Sequence, residues 1–255
     1  MKQFVLPFTP GSGSEKHRLD GRDFKYLIRV RRYRAGDRIA AVSPDGASYG
    51  LTILSVGRDS CEILIEPEET RNSADAAPPV RLTLMPGITK GRKMDLTVRQ
   101  AVEAGVVSFL PLTTDHGQVK YSGPEDGRTK SERWERIARE ALQQCGGRIP
   151  MEILAPMSLE DAVGSWNGRG TLFYFHEKPM EGGGLHRHLA VQPAEAGIIV
   201  GPEGGLSRAE TEFLREQGAI PVFLGPRVLR AETAALYAVA AISTIIREND
   251  EWQPA

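Results

Sequence analysis

Cysteine is almost missing from this chain: Cys61 and Cys145 are the only two in 255 residues. Two thiols so far apart cannot staple a disulfide scaffold and lack zinc-ligand spacing, so a reducing, cytoplasmic setting and no metal are expected. Long apolar runs are missing as well. The longest, residues 234–242, falls well short of the roughly 20 residues that cross a bilayer. The first ten residues hold one lysine and a short apolar run before Pro7, which does not read as a secretory leader. A formal net charge of −1 removes any global signature of a polyanion partner. Neither G-x-G-x-x-G after the first α/β strand nor G-x-x-x-x-G-K-[ST] is present, which argues against a dinucleotide enzyme or a P-loop enzyme. No repeat of 20–50 residues is visible.

The residues that are present follow two grammars. Residues 38–42, 48–54 and 61–65 are short apolar segments separated by Pro44-Asp45-Gly46 and Gly57-Arg58-Asp59, a spacing that predicts a small β-barrel. Leu19, Phe24, Leu27 and Ile28 suggest a short helix over 19–30. Residues 73–79, small and proline-terminated, read as a linker between a domain at 1–72 and one at 80–255. From Val80 onward, strands expected at 80–85, 106–112, 151–154, 171–175, 197–200 and 220–224 alternate with helical spacing. One such helix follows a Thr129…Glu132 capping box. Alternation of this kind predicts a mostly parallel sheet covered by helices on both faces.

Two corners in the second region concentrate chemistry. Ile198-Ile199-Val200 runs into Gly201-Pro202-Glu203-Gly204-Gly205, and Ser207 with Glu210 forms a second capping box. After another short strand comes Leu224-Gly225-Pro226-Arg227-Val228-Leu229-Arg230-Ala231-Glu232-Thr233-Ala234. Glycines let a backbone turn sharply and approach a ligand closely. Corners at the carboxyl ends of strands are where α/β sheets bind small ligands. A nucleotide-like cofactor is therefore expected.

Charge is local rather than global. Residues 16–38 hold nine Lys/Arg against three Asp, interleaved with Tyr26 and Tyr33, and Lys90, Arg92 and Lys93 form a second cluster. The run is either a solvated face or a grip on RNA, whose phosphates pair with cations and whose unpaired bases stack on rings.

These blocks together resemble the ribosomal RNA small subunit methyltransferase E family of the SPOUT superfamily, over nearly the whole chain. The resemblance is carried by His17-Arg18-Leu19, Arg29-Val30 with Gly36-Asp37, Lys90-Gly91-Arg92-Lys93-Met94-Asp95, Glu140-Ala141 with Gln144, Ile149-Pro150, GPEGGLS and LGPRVLRAETA. It departs from the family at Ala231, where threonine is common, and around residues 114–118. The implied fold is a PUA-like, RNA-holding barrel followed by a SPOUT α/β domain with a C-terminal trefoil knot. The implied activity is S-adenosylmethionine-dependent methylation of uridine N3 in 16S rRNA of the small ribosomal subunit, by a homodimer. A ribose 2′-O-methyltransferase on rRNA or tRNA is the alternative.

On that resemblance the cofactor would meet Phe175, His176, Glu177, Gly201, Pro202, Glu203, Gly204, Gly205, Leu224, Gly225, Arg227, Leu229, Arg230 and Ala234. RNA would meet His17, Arg18, Arg29, Arg31, Arg32, Lys90, Arg92 and Lys93. Uracil N3 carries a proton, so a base or a stabiliser of the imide anion would speed transfer. Glu203, Glu232 and Arg230 are the candidates. Glu232 is equally readable as a structural partner of Arg230, and His176 as a structural histidine.

Overall fold

The computed structural model describes residues 3–68, 78, 80–117, 124–179 and 184–250, without side chains at 124–127 and 250. Residues group into two compact units, Met1–Ala77 with Leu142–Pro150, and Pro78–Ala141 with Met151–Ala255. The expected linker at 73–79 lies, apart from Pro78, outside the described residues.

In the first unit the strands are β1 (Phe4–Val5), β2 (Glu15–Asp20), β3 (Arg38–Val42), β4 (Ser48–Val56) and β5 (Ser60–Pro67). They hydrogen-bond in the order β1-β3-β4-β5-β2, antiparallel except for β1 with β3. The barrel is therefore open in its backbone hydrogen bonds, with β1 and β2 as edges. The ring of Phe8, just past β1, lies 4.1 Å from that of His17 on β2 and closes this gap with side chains. Phe4, Leu19, Ile39, Leu51, Ile53, Ile63 and Ile65 from all five strands fill one core.

The helix expected over 19–30 is only partly formed. Leu19 belongs to β2, paired with Cys61. A short helix α1 (Gly21–Phe24) then begins at Gly21, whose φ of +54° is open to glycine, and continues as a π-helical turn over Lys25–Val30. Strand β2 escapes sequence reading because its composition is charged and only Leu19 is buried, as befits an edge strand.

The second unit holds, in chain order, β6 (Arg81–Pro86), α2 (Lys93–Glu103), β7 (Ser108–Phe109), β8 (Leu112–Thr113), α3 (Pro124–Cys145), β9 (Glu152–Ile153), β10 (Met157–Ser158), α4 (Leu159–Trp166), β11 (Thr171–His176), α5 (Leu185–Leu189), β12 (Glu195–Val200), α6 (Arg208–Glu216), β13 (Ile220–Phe223) and α7 (Ala231–Asp250). Six strands form a wholly parallel sheet in the order β13-β11-β12-β6-β7-β9. The expected strand at 106–112 splits in two. Pro111 has no N–H to donate, and β8 leaves the main sheet to pair with β10.

Both faces of the sheet are covered, so its central strands are buried throughout. Residues 82–86 of β6 and 196–200 of β12 are all buried. On one face Leu159, Ala162 and Trp166 of α4 and Leu214 of α6 pack on Tyr174 and Ile199. Gly197 is required there: a Cβ would stand 2.6 Å from Leu172 and 3.1 Å from Trp166. On the other face α7 packs on α2, α5, β6 and β12. Pro221 sits in β13, an edge strand, where a missing donor is tolerated. Helix α3 starts at Pro124, so the Thr129…Glu132 pair lies inside it. Glu132 meets Arg128 one turn away, 3.7 Å apart, instead of capping.

Candidate active site

Strands β11, β12 and β13 are neighbours and run parallel, so their carboxyl ends open on one side. A cleft of about 750 Å³, counting the solvent at its mouth, lies there. Its walls are Phe175, His176 and Glu177 from the end of β11, and Val200 to Leu206 from the end of β12. The 224–229 segment contributes Leu224, Gly225, Arg227, Val228 and Leu229, and α7 contributes Ala231 and Ala234.

Each corner is shaped by its glycines. At Gly201 a Cβ would meet Gly205 and Leu206 backbone at 2.8 Å, so the loop can fold back on itself only with glycine there. The Gly205 N–H donates to Pro202 O at 2.9 Å and closes the turn, with Gly205 at φ +70°. Gly225, at φ +116°, redirects the chain after β13. At Gly205 and Gly225 a Cβ would meet nothing within 4 Å, leaving a cradle open at both corners.

The Ser207–Glu210 capping box forms as expected. The Glu210 N–H donates to Ser207 Oγ at 3.1 Å, and the Ser207 N–H donates to Glu210 Oε2 at 2.7 Å. A third partner was not legible in the sequence. Glu210, only 5% exposed, also accepts from the Asp115 N–H at 2.9 Å, and Ser207 Oγ donates to Asp115 Oδ2 at 2.5 Å. Beside them His116 Nδ1 lies 2.9 Å from Gly204 O. No local signal links residues 115–116 to 204–210, because the partners are about ninety positions apart.

Glu203 faces the cleft in an ion pair, its Oε1 2.7 Å from Lys93 Nζ. Burial pushes its carboxyl upward, but the Lys93 hydrogen bond and charge, with backbone N–H groups of Glu203 and Lys90, outweigh that. The net result lies below the usual carboxylate range. Lys93 is thereby engaged by the cleft, while Lys90 and Arg92 are exposed.

Arg230 is exposed and lies outside the lining, and its carbonyl accepts the Ala234 N–H at 2.8 Å to open α7. Among the described residues no ion pair joins Arg230 to Glu232. Glu232 Oε2 is buried without a hydrogen-bond partner, between the lining residues Ala231 and Ala234. His176 Nδ1 accepts the Lys178 N–H at 3.1 Å, a local tie that holds the ring at the end of β11.

In the first unit Arg18, Arg29 and Arg32 are exposed and Arg31 is half-buried. The Arg29 guanidinium lies 6.0 Å from the Phe24 ring, and that of Arg31 lies 5.7 Å from Tyr33. Arg32 is the one non-glycine with positive φ, +61°, among the described residues. The His17 ring lies tilted by 37° against that of Phe8.

Among the described residues no group of three or more His, Cys, Asp or Glu is placed to hold a metal ion. No helix there is long and apolar enough to cross a membrane.

Comparison with known proteins defines the class first. The RNA methyltransferase domain family matches residues 76–243, and the RNA methyltransferase PUA domain family matches residues 19–66. Among curated proteins, ribosomal RNA small subunit methyltransferase E of Aquifex aeolicus is 34% identical, covering 84% of this chain and 89% of that one. Its Bacillus subtilis counterpart is 29% identical over 88% of each. A crystal structure of the Neisseria gonorrhoeae enzyme of that name, bound to S-adenosyl methionine, superposes with a TM-score of 0.85 at 26% identity, covering 96% of this chain and 98% of that one. The chain belongs to the ribosomal RNA small subunit methyltransferase E family.

Proposed function

We propose that this protein methylates N3 of a uridine in 16S rRNA of the small ribosomal subunit, with S-adenosylmethionine as methyl donor. The observation that carries the reading is the cleft at the carboxyl ends of β11, β12 and β13, within a chain of this family. The residues fit the cofactor. Apolar Phe175, Val200, Leu224 and Leu229 suit an adenine, and the open cradle at Gly205 and Gly225 lets backbone groups reach it.

Bound there, the cofactor supplies an electrophilic methyl group on a positively charged sulfur. The protein aligns the base with it, excludes water and removes the N3 proton. Glu232 is the proton acceptor: in the first turn of α7, beside the cleft, its Oε2 is buried with no hydrogen-bond partner and is open to take a proton. Arg227, in the lining, and Arg230, just outside it, steady the charge on the uracil oxygens. Glu203 holds the 90–93 loop through Lys93, and that pair keeps its carboxylate ionised and engaged. The exposed Arg18, Arg29 and Arg32 with Lys90 and Arg92 grip phosphates, and Arg31 beside Tyr33 and His17 beside Phe8 offer planar groups to RNA bases.

The finer architecture belongs to the same proposal. From β12 the chain crosses β11 to reach β13, then returns along β12 and β6 as α7, a course that supports a C-terminal trefoil knot. A homodimer is supported by apolar side chains left at the surface, Tyr237 of α7 at 53% and Val228 at 80% exposed. Sedimentation at low micromolar concentration showing only a single-chain mass would exclude it. Unpaired Cys61 and Cys145 support a cytoplasmic site.

The test is single-turnover methylation of small-subunit RNA, with the product nucleoside read by mass spectrometry. N3-methyluridine is expected, and a 2′-O-methylated ribose would overturn the reading. Glu232→Gln should slow transfer by about 10²-fold or more while cofactor affinity holds, and higher pH should restore part of the rate.

A further inference from the structure

We propose that Asp115 and His116 are positioning residues: they latch the turn at Gly204 to the start of α6 and hold the cofactor loop in its binding shape. The inference rests on the cleft being the cofactor site.

The latch is a closed set of hydrogen bonds. Asp115 N–H and Ser207 N–H each donate to one oxygen of the buried Glu210 carboxylate, and Ser207 Oγ–H donates to the Asp115 carboxylate. Both oxygens of the buried Glu210 carboxylate have a donor, one from each segment, so the 113–117 loop and residues 207–210 are tied together. His116 extends that unit to the exposed tip of the cofactor loop. A carbonyl only accepts, so the nitrogen facing Gly204 O carries a proton and Nδ1–H donates. The bond survives whether the imidazole is neutral or charged, and Nε2 stays free of it.

Sterics give the same arrangement. A Cβ at Gly204 would stand 2.8 Å from His116 Cβ, closer than real side chains come. Gly204 is thus a glycine because His116 lies against it. On one side the tip is held by the Glu203–Lys93 ion pair; at Gly204 itself the Gly205 N–H to Pro202 O bond closes the turn internally, and His116 supplies the tie to the 113–117 loop. Displacement by about 1 Å of a loop that lines a ligand is enough to cost on the order of 10²-fold in function.

The test uses the full chain and S-adenosylhomocysteine as probe, with affinity from calorimetry and with RNA affinity and thermal midpoint alongside. His116→Ala and Asp115→Ala should each weaken the probe about tenfold, with RNA affinity and midpoint near wild type. His116→Asn, whose amide can still donate to Gly204 O, should recover most of the loss.

A double-variant cycle reads the geometry directly. Gly204→Ala should weaken the probe about tenfold in the wild-type and His116→Ala backgrounds, because both keep the opposing Cβ. In a His116→Gly background the added methyl has room, and Gly204→Ala should then cost nothing further. Equal costs in all three backgrounds would overturn the latch. Ala234→Trp, which fills the cleft from α7, separates the two levels of the argument. Probe binding lost in Ala234→Trp but at wild-type strength in the latch variants overturns the latch alone. Binding retained in Ala234→Trp overturns the cleft assignment beneath it.

Discussion

Gly87→Ala offers a sharp test of how the second unit shapes its cleft from behind. Gly87 follows β6 and is buried, and its N–H donates to Val200 O at 2.7 Å. It also bridges to Leu112, so it is held on two sides. A Cβ there would stand 2.5 Å from Pro202 Cδ and 2.6 Å from Pro202 N. Ordinary contact needs roughly 1 Å more. Gly87 cannot retreat, and the proline ring cannot bend, so the loop at 201–205 must shift as a body toward the cleft.

Overpacking of this kind costs about 1–3 kcal/mol. If the free loop shifts without strain and is forced back against the new methyl only when ligand binds, affinity for S-adenosylhomocysteine falls by roughly 5- to 150-fold. If it does not, the same amount appears as lost stability. Calorimetric titration and urea unfolding on the same preparation capture both routes. Gly87→Ala with wild-type affinity and stability within about 0.5 kcal/mol of wild type would refute the reasoning.

Three further outcomes follow from other parts of the molecule. Gly164 lies exposed within α4 with nothing within 4 Å of its Cβ position, so Gly164→Ala should raise stability in urea by about 0.5–1 kcal/mol. Replacing Arg29, Arg31 and Arg32 together with alanine should weaken RNA binding and lower the slope of log affinity against log salt by up to roughly 2, leaving cofactor affinity unchanged; an unaltered slope would mean a solvated face. The Glu203 carboxyl is held below its ordinary range, so its ionisation stabilises the fold at any pH above the unfolded value. That contribution, at most about 1 kcal/mol for a pair this exposed, is lost as pH falls through the folded value. Thermal midpoints of wild type and Glu203→Gln should therefore differ at neutral pH and converge below about pH 4; a constant difference would remove the ion pair from the account.

The chain by itself determined the broad architecture, because the signals are local. Buried runs at 82–85 and 196–200 mark strands covered on both faces, and Ser207 three residues before Glu210 marks a helix start. The two glycine corners stood out for the same reason: tight turns need particular residues wherever they occur. Local signals also misled. Thr129 and Glu132 have capping spacing but sit inside α3, which already begins at Pro124, where the missing N–H costs no helical hydrogen bond. Charged β2 hid because an edge strand need bury only one side chain.

What the tertiary structure decided are the relations between distant residues. Sheet order brings the ends of β11, β12 and β13 together, although β12 stands between the other two in sequence and beside only one of them in space. Folding pairs Glu203 with Lys93 and leaves Glu232 Oε2 buried without a hydrogen-bond partner, a difference between two carboxylates that the sequence does not show. It also sets His116 against Gly204 and Asp115 against Ser207. Such contacts join groups far apart along the chain, and no periodicity or spacing encodes them. They exist because loops that follow parallel strands all emerge at the carboxyl ends, where they pack against one another.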